Sequence, residues 1–346
     1  MKKLLFFAAT IALFAACSEK EQLTETTEIP IDFTKSYIEN VTKAPYTTST
    51  FATTGNTMGV FGWKKNGSNY TQVFNDQSVN YNVTKANDWG YTPKKYWDSS
   101  ADNYIFYAYA PHSAAFTGTV TAPTSTSANS FAITNFTQVT TVANQVDLLV
   151  DLTNQTNNTN NKSTSSPKPE VAFTFSHILT QVNIVMAVST SLKGDENDNP
   201  VAVQSVVLND VNIKGTYSYS SAWAWSAQAT PTDFSATTKT VSNKTVVFGS
   251  TELGTSATNV PGLVQMLLIP GSVSGYSITV NYTIGTEAFE KTIDLTAFKD
   301  GNNTLSTWAI GYNYTYFLTI GPEPIEFASP TINDWGAGGT YSYTIE

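Results

Sequence analysis

Apolar and polar residues alternate with period two along most of this chain, the pattern of strands that bury one face. Ile29, Ile31 and Phe33 are separated by Pro30 and Asp32, so three apolar side chains share one strand face. Met58–Trp63, Tyr104–Ala110 and Val146–Val150 predict further strands, bounded by Gly, Asn, Asp and Pro. Thr153–Glu170 then has no large apolar residue to bury and predicts a linker. Beyond it the strand pattern resumes at Val171–Phe175, Val182–Val188, Val203–Val211, Val264–Ile269, Tyr276–Ile284 and Tyr312–Ile320. Leu295–Lys299 is the one helical expectation. The pattern predicts an all-β protein of two tandem β-sandwiches, residues 44–160 and 161–346.

The first residues follow a different pattern. Lys2 and Lys3 precede an apolar run, Leu4–Ala16, that is too short to span a bilayer as a stable helix and ends in small residues before Cys17. Residues 1–16 read as an export signal, and Leu13–Cys17 resembles a bacterial lipobox, with Cys17 as the lipidation site. An ordinary signal peptide beside an incidental cysteine is the plainer alternative. Acyl chains contribute ~0.8 kcal/mol per buried methylene, so several together anchor a protein firmly. Ser18–Gln22 is polar and acidic, which suits either a surface-export signal or a solvated tether; residues 17–43 are read as tether plus a first strand.

Composition narrows the function. Charged residues make up 13% of the chain, the net charge is -9, and no arginine is present. Without a basic patch, nucleic acid is excluded as a partner. The single cysteine allows no intramolecular disulfide, so the folded part relies on its cores. No segment after the export signal is apolar enough to cross a membrane as a helix.

Catalytic chemistry is poorly supplied. His112 and His177 are far apart and lack metal-ligand spacing, so both read as structural or surface residues, and no cofactor or metal is expected. Gly194–Asn199 holds three carboxylates, but without EF-hand spacing it reads as a hairpin loop. Tyr217–Ser226 is the best binding candidate. Folded about Ser220–Ala222, it would set Tyr219 opposite Trp223 and Tyr217 opposite Trp225. That makes either an aromatic platform for glycans or a hairpin whose aromatic face is buried.

Several stretches together resemble the fimbrillin family, the Mfa-like and FimA-like type V pilus subunits of Bacteroides-type bacteria. They are the lipobox at Cys17, Asn40–Trp63, Phe106–Pro111, Val146–Asp151, Phe173–Met186, Met266–Gly271 and Leu305–Ile320, in the family's order. The resemblance implies a lipoprotein precursor of the outer membrane and transthyretin-like sandwiches. It further implies assembly with other fimbrial subunits by strand exchange, and adhesion to a host or bacterial surface ligand. Proteolysis in that family commonly follows an arginine; the matching position here is Lys43-Ala44, which would release the strand of Ile29, Ile31 and Phe33. With no arginine, either a lysine-accepting protease cuts there or the segment stays and the protein is an anchor, tip or stand-alone surface lipoprotein. Tyr341, Tyr343 and Ile345 alternate after Gly338-Gly339, as a donor strand or as the last strand of their own sandwich. The alternative function is a non-polymerising lipoprotein that binds glycans through Tyr217, Tyr219, Trp223 and Trp225.

Overall fold

A computed structural model describes residues 29–33, 37–38, 51–53, 55–82, 88–152, 171–188, 201–237, 258–259, 263–300, 303–321, 326–327 and 331–334. Cys17, Lys43, Ala44, Tyr341, Tyr343, Ile345, the linker Thr153–Glu170 and the acidic loop Gly194–Asn199 lie outside them.

The fold is all-β, as the alternation predicts. The first sheet runs β1 (Tyr37–Ile38), β9 (Thr174–His177), β8 (Leu149–Asp151), β5 (Asn103–Ala110), β2 (Thr57–Asn66), β3 (Asn69–Asn82) and β4 (Asp88–Gly90). In the second, β13 (Thr258–Asn259), β10 (Thr180–Val188), β21 (Tyr312–Ile320) and β22 (Glu326–Phe327) follow in order, with β14 (Met266–Leu268) on β10 and β23 (Thr331–Asp334) on β21. The third is β17 (Glu287–Asp294), β16 (Ser277–Ile284), β11 (Val201–Tyr219), β7 (Ala132–Thr137) and β6 (Thr117–Thr121), with β12 (Trp223–Thr237) on β11. Two small ribbons pair β15 (Gly271–Ser272) with β20 (Thr307–Trp308), and β18 (Lys299–Asp300) with β19 (Asn303–Thr304).

Three cores follow from which faces are apolar. Ile184 and Met186 of β10 and Tyr316 and Leu318 of β21 meet Val206 and Leu208 of β11 and Ile278 and Val280 of β16, all buried between the second and third sheets. Along β5, Phe106 and Ala108 point to one face of the first sheet while Tyr107 and Tyr109 point to the other. On that second face Tyr107 and Tyr109 meet Ile133 and Phe136 of β7 and Tyr217 of β11. β11 reaches both regions because its 19 residues span roughly 60 Å at strand rise. Register shifts after Leu208 and Asn212 mark bulges, which bend the strand and increase its local twist.

Pairing crosses the expected boundary near residue 160. β9, from beyond it, bonds to β8 and β1 in the first sheet, whereas β6 and β7, from before it, extend the third sheet through β11. Leu295–Lys299 is not an α-helix. Leu295–Ala297 makes one 3-10 turn and Lys299 begins β18. The Asp294 carboxylate accepts from the Thr296 N–H at 2.8 Å and caps the turn, and Leu295 fills the core beneath it.

Candidate functional site: the segment Ile29–Phe33 and its groove

The first described segment is extended because Pro30 disfavours helix and its apolar residues alternate. It lies between two other stretches of chain. On one side the Ile31 N–H donates to the Lys95 carbonyl at 2.9 Å, the Trp97 N–H to Ile29 at 2.9 Å, and the Trp89 N–H to Phe33 at 3.3 Å. On the other, the Val171 N–H donates to the Asp32 carbonyl at 2.9 Å. The segment thus bridges residues 89–97 and 171 as a middle strand would.

Its side chains divide by face. Ile31 and Phe33 have no exposed surface, and Ile29 is half-buried. The Phe33 ring stacks on Phe173 at 5.9 Å and meets Phe74, Tyr91 and Phe106 edge-on at 5.4, 5.5 and 6.2 Å. Tyr91 donates its hydroxyl to the Ile31 carbonyl at 2.6 Å, and burial pushes its phenol up to about 12. Asp32 points outward and pairs with Lys94 at 3.2 Å, while the Lys94 ammonium sits 4.8 Å over the Tyr91 ring. The walls of the groove, Trp89–Trp97 and Val171–Phe175, escaped the sequence reading of a site. The aromatic alternation of Trp89 and Tyr91 was the available signal, but it names no partner strand.

The other candidates lie elsewhere. Tyr217 does pair with Trp225, and Tyr219 with Trp223, across the β11–β12 hairpin. The face they make turns inward. Tyr217 is 3% exposed, its ring lies 5.3 Å from Trp223, Phe136 packs on Trp225, and the Trp225 indole N–H donates to the Ile178 carbonyl at 2.5 Å. Of the two readings the sequence leaves open, the buried aromatic face describes Tyr217, while Tyr219, Trp223 and Trp225 are half-buried at its rim. His177 Nδ1 lies 2.9 Å from Asp147 Oδ1 with both residues buried, and Nε2 of the half-buried His112 lies 3.4 Å from the Asp76 carbonyl and 3.6 Å from its Oδ1. Among the described residues no three His, Cys, Asp or Glu side chains converge as a metal site would require.

The arrangement is an extended segment seated between Trp89–Trp97 and Val171. A sequence profile of fimbrillin-like proteins matches residues 42–335. The chain belongs to the fimbrillin-like family. That family consists of fimbrial structural subunits, not enzymes. This fimbrillin-like chain is 29% identical over 197 residues to fimbrium subunit Fim1C of Phocaeicola vulgatus, a match over 53% of this chain and 50% of that protein. The chain spans about half the length of that curated relative. In fold it is similar to a fimbrial protein of Bacteroides vulgatus, with a TM-score of 0.59 and 21% identity over 88% of this chain and 99% of the other. A putative cell adhesion protein of Bacteroides uniformis aligns with a TM-score of 0.50 and 17% identity over 89% of this chain and 99% of the other.

Proposed function

We propose that this fimbrillin-like chain is the precursor of a fimbrial subunit or accessory component, anchored to the outer membrane through Cys17 and assembled by strand exchange with other subunits. The observation that carries the reading is the seating of Ile31 and Phe33, fully buried and bonded on both sides by chain distant in sequence. Such a segment is a plug: its removal exposes apolar side chains and unpaired backbone groups together, and an extended strand from elsewhere satisfies both. Cleavage at Lys43-Ala44 would free it, and Tyr341, Tyr343 and Ile345 of another copy have the alternation to replace it. Attachment to a host or bacterial surface ligand is proposed from membership of the fimbrillin-like family, separately from the geometry of this segment.

The test is the N-terminal sequence and intact mass of the protein recovered from the surface of its host. A filament-borne chain starting at Ala44 supports assembly by exchange. A chain starting at an acylated Cys17 in filaments overturns plug removal and makes the protein an uncut anchor or tip.

A further inference from the structure

We propose that the groove selects a strand of one chemistry, an apolar, an acidic and an aromatic residue in succession, with Lys94 and the pocket around Phe33 as the specificity determinants. This rests on the reading of the groove as a strand-exchange site and names what it accepts; residues 340–346 share the alternation but not this succession, so the proposal ranks them below the segment's own Ile31-Asp32-Phe33. Three consecutive positions of the seated segment are each read by a different kind of contact.

At the first position the Ile31 side chain has no exposed surface, which admits an apolar residue, while its main chain is held without regard to sequence. Tyr91 binds the Ile31 main-chain carbonyl at 2.6 Å, and the Ile31 N–H reaches Lys95. Any strand in this register offers the same groups, so these bonds set alignment and not identity.

The third position is sequence-selective. Four rings, Phe74, Tyr91, Phe106 and Phe173, surround Phe33, three edge-on and one stacked. Edge-on and stacked arrangements favour another ring beyond its buried area, so an aliphatic side chain of similar volume is disfavoured there.

The second position selects by charge. Asp32 lies 3.2 Å from the Lys94 ammonium, which the Tyr91 ring face holds at 4.8 Å. In a chain of net charge -9, a cation fixed beside the groove favours an acidic strand residue and repels a basic one. This position is exposed, so its contribution is smaller than the ring's.

The experiment opens the groove without the natural protease. A specific cleavage sequence is inserted within residues 39–50 of the full chain, the chain is cut, and a fluorescent peptide of residues 27–36 is exchanged in. Phe33→Ala in the peptide should weaken binding about a hundredfold or more, and Phe33→Leu about three- to tenfold. Asp32→Lys should weaken it about two- to fivefold, with recovery in Lys94→Glu protein. Equal binding of the Phe and Leu peptides, or no response of the Asp32→Lys peptide to Lys94→Glu, overturns the proposal. Binding of a peptide of residues 338–346, with none of the 27–36 peptide, overturns this selectivity and leaves strand exchange standing; binding of neither overturns both. If the cut chain unfolds, Asp32→Lys, Lys94→Glu and the double variant are compared in the uncut chain. Recovery of the denaturation midpoint in the double variant supports the charge selection, and additive losses overturn it.

Discussion

The hydroxyl of Tyr109 donates to the Asp76 carboxylate at 2.5 Å, and the ring that carries it lies directly over Gly59. A Cβ at residue 59 would come within 2.2 Å of the ring carbon Cε1. Glycine there lets β5 place a tyrosine across β2 and fasten the bulged strand β3, where Asp76 has φ 48. Gly59→Ala should destabilise the protein by about 1–3 kcal/mol through overpacking. Urea denaturation checks the value, and Tyr109→Ala in the same chain should remove most of the added cost, because the two changes share one contact.

Phe33→Ala should cost about 3–5 kcal/mol, the range for truncating a buried phenylalanine. Ile29→Ala, at a half-buried position, should cost clearly less than the 2–5 kcal/mol of a buried Ile→Ala, about 1 kcal/mol. The comparison is made by denaturation of the uncut chain, and equal losses would contradict the burial of the segment.

Alkaline pH should loosen the same segment. The Tyr91 phenol is raised to about 12 by burial, from a usual value near 10, so folding favours its protonated form. That contribution is present in full below pH ~10 and is lost as pH rises through about 12. Tyr91→Phe, which leaves the Ile31 carbonyl without its phenol partner, should cost about 1–3 kcal/mol at neutral pH. It should also remove part of the stability loss between those pH values, measured by denaturation at a series of pH.

At the acid end the sign is reversed. Lys64, followed by the side chain and backbone of Ser100, holds the Asp98 carboxyl well below the usual carboxylate range. Stability from this group is present above pH ~4 and falls away as pH drops through its depressed value. Asp98→Asn should lower stability at pH 7 by no more than about 1 kcal/mol, since the pair is partly exposed. It should also flatten the acid limb of the stability curve.

The aromatic hairpin should behave as core. Trp225→Phe removes the donor to the Ile178 carbonyl and should cost about 1–3 kcal/mol. Tyr217→Ala should cost about 3–5 kcal/mol, by analogy with other buried aromatic truncations. Glycan binding lost in Trp223→Ala with unchanged stability would contradict the inward orientation.

Much of this was legible in the residues. The one-sided face of Ile29, Ile31 and Phe33 follows from period-two alternation, and the β2 and β5 strands from short apolar runs bounded by Gly, Asn, Asp and Pro, both properties of neighbours in sequence. The cross-strand pairs Tyr217–Trp225 and Tyr219–Trp223 follow from the same rule plus a turn at Ser220–Ala222. Leu295–Lys299 misled because a short apolar stretch has no period long enough to distinguish a helix from a turn leading into a strand.

The chain's own sequence determined the strand content, the faces, and the absence of arginine and paired cysteines, since each is fixed locally or by composition. Tertiary structure alone decided that Ile29–Phe33 fills a place between Trp89–Trp97 and Val171, that β9 returns to the first sheet, and that the Tyr217 face turns inward. These outcomes depend on which apolar faces meet across scores of intervening residues, and alternation states only that a face must be covered, not what covers it.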